Sequence, residues 1–78
     1  MHYVYILKCA DGSPYTDCTK DFKERFQRHT NADVPATKLR LPVGLEFYCA
    51  FKDKYKAFEF EKYLKSGSGR ALIQKRLI

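Results

Sequence analysis

Tyr3-Val4-Tyr5-Ile6-Leu7-Lys8-Cys9 is the stretch whose reading decides the fold. It is dense in aromatic and β-branched residues, the types that suit a pleated surface, so it predicts a strand. Alternation puts Tyr3, Tyr5, Leu7 and Cys9 on one face and Val4, Ile6 and Lys8 on the other. Both faces are largely apolar, which predicts a central strand covered on both sides. Asp11-Gly12 follows as a hairpin turn signal. Tyr15 to Thr19 then reads as a second strand. Pro14 has no N–H to give a ladder, so that strand lies at an edge or starts there.

Working outward, Thr19 is a candidate N-cap for a helix over 20–30 with Phe22 and Phe26 as its apolar stripe. Residues 31–42 carry Asn31, Pro35 and Pro42 and read as a loop, made basic by Lys38 and Arg40. Residues 43–51 predict a third strand with Val43, Leu45, Phe47, Cys49 and Phe51 toward the core. Asp53 caps a second helix over 54–65, where Ala57, Phe60 and Leu64 share a face. Ser66-Gly67-Ser68-Gly69 breaks it, with a glycine available for a left-handed C-terminal position. A short last helix over 69–77 buries Leu72, Ile73 and Leu77. The class is α+β and the order β-β-α-β-α-α.

At 78 residues, one domain spanning 1–78 is expected, with no internal repeat or linker. A chain this short buries only about 60% of its unfolded surface, and six Phe and six Tyr must supply much of that. The formal charge is +6 and the pI near 9.3, which favours anionic partners, nucleic acid first. Cys9, Cys18 and Cys49 form an odd set without CxxC spacing, which argues against a disulfide framework and a zinc knuckle. No apolar stretch is long enough to span a bilayer and no signal-peptide pattern precedes the first strand, so a cytoplasmic protein is expected.

Five polar side chains stand out: Tyr5, Tyr15, Arg25, His29 and Glu61. Together they suggest a phosphodiester-cutting site. A strand tyrosine is either a packed ring with its hydroxyl at the rim or, near cations, a group with altered acidity. Arg25 and His29, spaced i, i+4, fall beside the Phe22–Phe26 stripe. A guanidinium there can fork onto two phosphate oxygens, where on a plain basic surface it would be a solvated charge. His29 either orients a tyrosine hydroxyl, contacts phosphate or meets the helix dipole. Glu61 borders an apolar stripe, which is costly for a carboxylate unless it is paired with Lys65 or Lys54 or binds a metal. One carboxylate with phosphate oxygens and water is a normal magnesium arrangement.

The combined pattern resembles the GIY-YIG nuclease family, in its small standalone bacterial form. The resemblance rests on Tyr3-Val4-Tyr5, Tyr15-Thr16-Asp17, Lys23 through His29, and Ala57 through Lys62. Ala36-Thr37-Lys38, Leu41-Pro42-Val43 and the tail Tyr63 through Arg70 extend it over nearly the whole chain. It implies a three-stranded antiparallel sheet flanked by helices. The implied activity is Mg²⁺- or Mn²⁺-dependent hydrolysis of DNA to 5′-phosphate and 3′-hydroxyl ends, in repair or processing. Implied catalytic residues are Tyr5 as general base or water-orienting group, Tyr15 positioning nucleophile or phosphate, and Arg25 neutralising charge. His29 would bond a tyrosine hydroxyl or phosphate, and Glu61 would hold the metal. Lys38 and Arg40 are the candidate nucleic-acid contacts. The partner is DNA, with branched or damaged forms among the substrates left open beside duplex, flapped and single-stranded DNA and RNA; the state is a monomer or weak dimer with room for a partner protein, and no membrane is involved.

Two positions depart from the family pattern. Tyr3 and Asp17 stand where the motifs carry glycine. At Asp17 three consequences are open: backbone strain if φ is positive, repulsion of phosphate, or an added metal ligand. A catalytically impaired nucleic-acid-binding module is the alternative function this raises.

Overall fold

The computed structural model describes residues 1–77. Strand β1 (His2–Lys8) lies at the centre of a three-stranded sheet, between β2 (Pro14–Thr19) and β3 (Gly44–Phe51), antiparallel to both. Three helices follow the order expected: α1 (Phe22–Thr30) before β3, then α2 (Lys54–Leu64) and α3 (Gly67–Leu72) after it. The chain closes on a single π-helical turn, Ile73–Leu77. The apolarity of both β1 faces has the expected consequence. Val4 and Ile6 pack with Ala57, Leu64 and Ile73 on one side, and Tyr5 packs edge-on against Phe22 of α1 on the other. Val4, Tyr5, Ile6 and Leu7 are all fully buried.

The β1–β2 hairpin turns at Gly12, whose φ of 86° is the left-handed conformation that glycine adopts without a Cβ penalty. Asp11 accepts from the Ser13 N–H at 2.9 Å and from its hydroxyl at 2.6 Å, which locks the turn. Pro14 opens the edge strand β2, where a missing N–H is harmless.

Three local expectations are corrected. The cap of α1 is Asp21, which accepts from the Glu24 N–H at 3.1 Å, because Thr19 is still paired with Tyr3 in the sheet. Leu45 is 41% exposed rather than in the core. An irregularity between Ile6 and Leu7 pairs Ile6 with Phe47 but Leu7 with Leu45, so Glu46 is the extra residue and Leu45 leaves the Phe47 face. The Ser66–Gly69 stretch starts a helix instead of ending one in a left-handed glycine. Ser66 caps α3 by accepting from the Gly69 N–H at 3.2 Å. A Cβ on Gly69 would fall on the Tyr63 carbonyl, so this glycine serves the close approach of α3 to the end of α2. Cys9, Cys18 and Cys49 are free thiols, as expected.

Candidate active site

Three of the five candidate residues, Tyr5, Tyr15 and Arg25, meet around one atom, and His29 stands directly behind Tyr5. The sheet sets Tyr5 opposite Asp17, on the face that α1 covers. One turn apart on α1, Arg25 reaches Asp17 and His29 reaches the Tyr5 hydroxyl. Asp17 Oδ2 accepts from Arg25 Nη2 at 2.8 Å and also receives the Tyr5 hydroxyl at 3.3 Å and the Tyr15 hydroxyl at 3.4 Å. Its other oxygen, Oδ1, accepts from the Cys18 N–H at 2.8 Å. Asp17 is thus the hub of the cluster. It sits in a regular strand with no positive φ, so the backbone-strain reading of this position is set aside.

Behind the tyrosine stands a second layer. The Tyr5 hydroxyl lies 2.9 Å from His29 Nε2, and His29 Nδ1 lies 2.8 Å from the Thr37 hydroxyl. His29 and Thr37 are fully buried. With a neutral imidazole, one proton assignment makes all three contacts hydrogen bonds. Thr37 donates to Nδ1, the Nε2–H donates to the Tyr5 oxygen, and Tyr5 donates to Asp17. Burial, aided by the nearby Arg25 charge, holds the His29 pKa below its ordinary value and so favours that neutral ring. Thr37 was not singled out by its chemistry. Only the Ala36-Thr37-Lys38 stretch in the family resemblance pointed to it.

The same environment acts on the tyrosines. Burial first, and then the Asp17 charge, push the Tyr5 hydroxyl well above the ordinary tyrosine range. Tyr15 is raised by the same two causes. Both therefore stand protonated here, as donors. Among the described residues, Arg25 is held through Nη2 alone, and its buried Nε has no hydrogen-bond partner. That unused donor is a place for an anion oxygen.

Glu61 stands outside the hydrogen-bonded cluster. Its Oε2 pairs with Lys65 Nζ at 2.8 Å, one turn along α2, the structural partner foreseen for it. The pairing raises the Lys65 pKa, and the charge of Asp17 adds to the rise. Glu61 thus borders the cluster through Lys65. Among the described residues no group of three or more His, Cys, Asp or Glu gathers to hold a metal. A single half-buried carboxylate still suits a hard cation that takes its remaining ligands from phosphate and water.

The two basic loop residues differ. Lys38 is exposed. Arg40 is committed to the fold: its guanidinium donates to the Ser13 hydroxyl and to the Ala36 carbonyl, and lies 3.8 Å from Asp11. Among the described residues, no helix is long and apolar enough to cross a membrane.

Comparison with known proteins identifies the family. A family model described as the GIY-YIG catalytic domain matches residues 1–76. A UPF0213 protein of Staphylococcus saprophyticus is 41% identical over 68 residues, covering 86% of this chain and 83% of that protein. One from Streptococcus agalactiae is 39% identical over 72 residues, covering 91% and 82%. The solution NMR structure of the UPF0213 protein BH0048 from Bacillus halodurans superposes with a TM-score of 0.61 at 39% identity, covering 94% of this chain and 79% of that one. Sheet order, hairpin, paired tyrosines and near-complete family match lead to one assignment: the chain belongs to the GIY-YIG family of nuclease domains, among its small bacterial members.

Proposed function

We propose that this protein is a metal-dependent DNA endonuclease that hydrolyses phosphodiester bonds to 5′-phosphate and 3′-hydroxyl ends, in repair or processing of branched or damaged DNA. The observation that carries this reading is the convergence of the Tyr5 and Tyr15 hydroxyls and the Arg25 guanidinium on one oxygen position. Three donors aimed at a single point suit a non-bridging phosphate oxygen. In the reaction a water oxygen bonds to phosphorus, the bond from phosphorus to the 3′ oxygen breaks, and that oxygen leaves protonated.

Each residue has a distinct task. Arg25 binds the phosphate and offsets the charge that grows on its oxygens. Tyr5, held by His29 and protonated, orients water or phosphate; its raised pKa speaks against a proton-accepting role while Asp17 faces it. Tyr15 positions the phosphate from the second strand. Thr37 fixes the His29 ring, a positioning role. Glu61 would hold the Mg²⁺ or Mn²⁺ that GIY-YIG nucleases generally use, and that ion would supply Lewis-acid stabilisation of the leaving oxygen. Exposed Lys38 adds sequence-independent attraction to the backbone.

A second reading has its own observation. Arg25 is already paired with Asp17, which favours a module that binds nucleic acid without cutting it. Incubation of purified protein and supercoiled DNA with Mg²⁺ or Mn²⁺ separates the two. Nicking by the wild type and none by Arg25→Ala or Glu61→Ala supports the nuclease. Salt-sensitive binding with no nicking under any metal supports the module.

A further inference from the structure

We propose that Asp17 is a resident stand-in for a phosphodiester oxygen, so that substrate binding is an exchange in which the phosphate takes Arg25 and the Asp17 carboxylate leaves. The inference rests on the phosphate-site reading above but not on cleavage.

The geometry of Oδ2 supports it. This oxygen collects Arg25 Nη2, the Tyr5 hydroxyl and the Tyr15 hydroxyl at 2.8, 3.3 and 3.4 Å. These are the donors a phosphate oxygen would need, and a carboxylate presents the same acceptor chemistry. Two anions cannot share that point. The pair is also well shielded, with side chains 27% and 17% exposed, so water does little to screen the competition.

The fit of Asp17 is nevertheless incomplete, which is what makes it displaceable. The carboxylate engages one arm of the guanidinium and leaves Arg25 Nε buried without a partner among the described residues. A phosphate carries enough oxygens to occupy Nη2 and Nε together, the bidentate arrangement in which arginine binds best. The incoming anion therefore satisfies a donor that Asp17 leaves idle. The departing carboxylate keeps one anchor as Oδ2 swings away, because its Oδ1 is held by the Cys18 N–H at 2.8 Å.

This arrangement holds the tyrosines and Arg25 in their working positions before substrate arrives, while setting a threshold. Weakly bound anions lose to Asp17, and a phosphate must bring further contacts along the DNA to win. Loss of the carboxylate therefore lowers the threshold.

The test is a titration with inorganic phosphate in EDTA, where no cleavage occurs, following the Arg25 side-chain Nε–H by NMR. Asp17→Asn keeps the shape and removes the charge. It should bind phosphate roughly 10- to 100-fold more tightly than wild type, as expected for removing a competing charged hydrogen bond. Asp17→Gly should shift in the same direction, which guards against a fault peculiar to the asparagine. Equal affinity in wild type and both variants, or detectable binding in none of them, overturns the proposal. The nuclease reading is judged separately on the same proteins with Mg²⁺ and DNA. Cutting without any affinity difference removes the exchange and keeps the nuclease; an affinity difference without cutting does the reverse.

Discussion

The Tyr5 hydroxyl and His29 Nε2 sit 2.9 Å apart with both residues completely out of solvent. A histidine so placed has a protonation cost built into the fold. Burial and the Arg25 charge lower its pKa in the native state, while Asp17 opposes them and Arg28 adds to them. In the unfolded chain the group titrates near ~6.5. The unfolded state then binds more protons, so the His29 contribution is fully present above about pH 6.5 and is lost as pH falls through the native value. The urea midpoint should therefore fall as the pH is lowered from about 7.5 to about 5.5. The same scan on His29→Gln should be flatter. An identical slope in the two proteins would place the titrating group elsewhere.

Tyr5→Phe removes the hydroxyl and keeps the ring that packs on Phe22 at 5.2 Å between centroids. His29 Nε2 is then buried without a partner, at a cost of about 1–3 kcal/mol in urea unfolding. DNA nicking should vanish even where the variant is fully folded. A folded Tyr5→Phe that nicks like wild type would remove Tyr5 from the site.

Glu61→Gln breaks the pair with Lys65. Lys65 is more than half exposed, so stability should change by less than ~1 kcal/mol. The informative readout is the metal. Added Mn²⁺ should broaden the NMR signals of β2 residues near Glu61 in wild type and leave them sharp in the variant. Broadening that persists in Glu61→Gln would put the cation elsewhere.

Gly69→Ala and Gly67→Ala form a matched pair on one helix. Helix propensity favours alanine at both by up to ~1 kcal/mol. At Gly67 nothing lies within 4 Å of the added carbon, whereas at Gly69 it strikes the Tyr63 carbonyl and Leu64 Cα. Gly67→Ala should be neutral or stabilising and Gly69→Ala destabilising by about 1–3 kcal/mol, the range for overpacking. Thermal unfolding of the two side by side decides it.

Lys38→Ala should weaken DNA binding uniformly across sequences and reduce its salt dependence by about one phosphate contact. Arg40→Ala should instead loosen the hairpin it grips, lowering the melting temperature more than Lys38→Ala does. Equal melting temperatures with equal losses of affinity would make both of them simple phosphate contacts.

The sheet was legible because its cause is local. Seven residues from Tyr3 to Cys9 are apolar on both faces, and such a strand has to be central. Arg25 and His29 were legible for the same reason, since i, i+4 spacing beside two phenylalanines leaves them one face to share. What escaped was relational. Leu45 alternates correctly in its own strand, and only pairing with β1 introduces the irregularity that turns it outward. Asp17 could be noticed as a misplaced glycine, but its role as hub depends on Arg25, eight residues away on another element. Thr37 belongs to a loop without periodicity, so nothing in the sequence pattern could align it with His29.

That loop has one more consequence. Thr37 grips the imidazole behind Tyr5, and three residues on, Arg40 grips the hairpin that carries Tyr15, helped by its own carbonyl on the Ala10 N–H at 2.9 Å. Two sides of the cluster are braced by a single short strut. Lengthening the segment between Thr37 and Arg40 by one residue would leave every proposed catalytic group in place in the sequence and pull the two sides out of alignment.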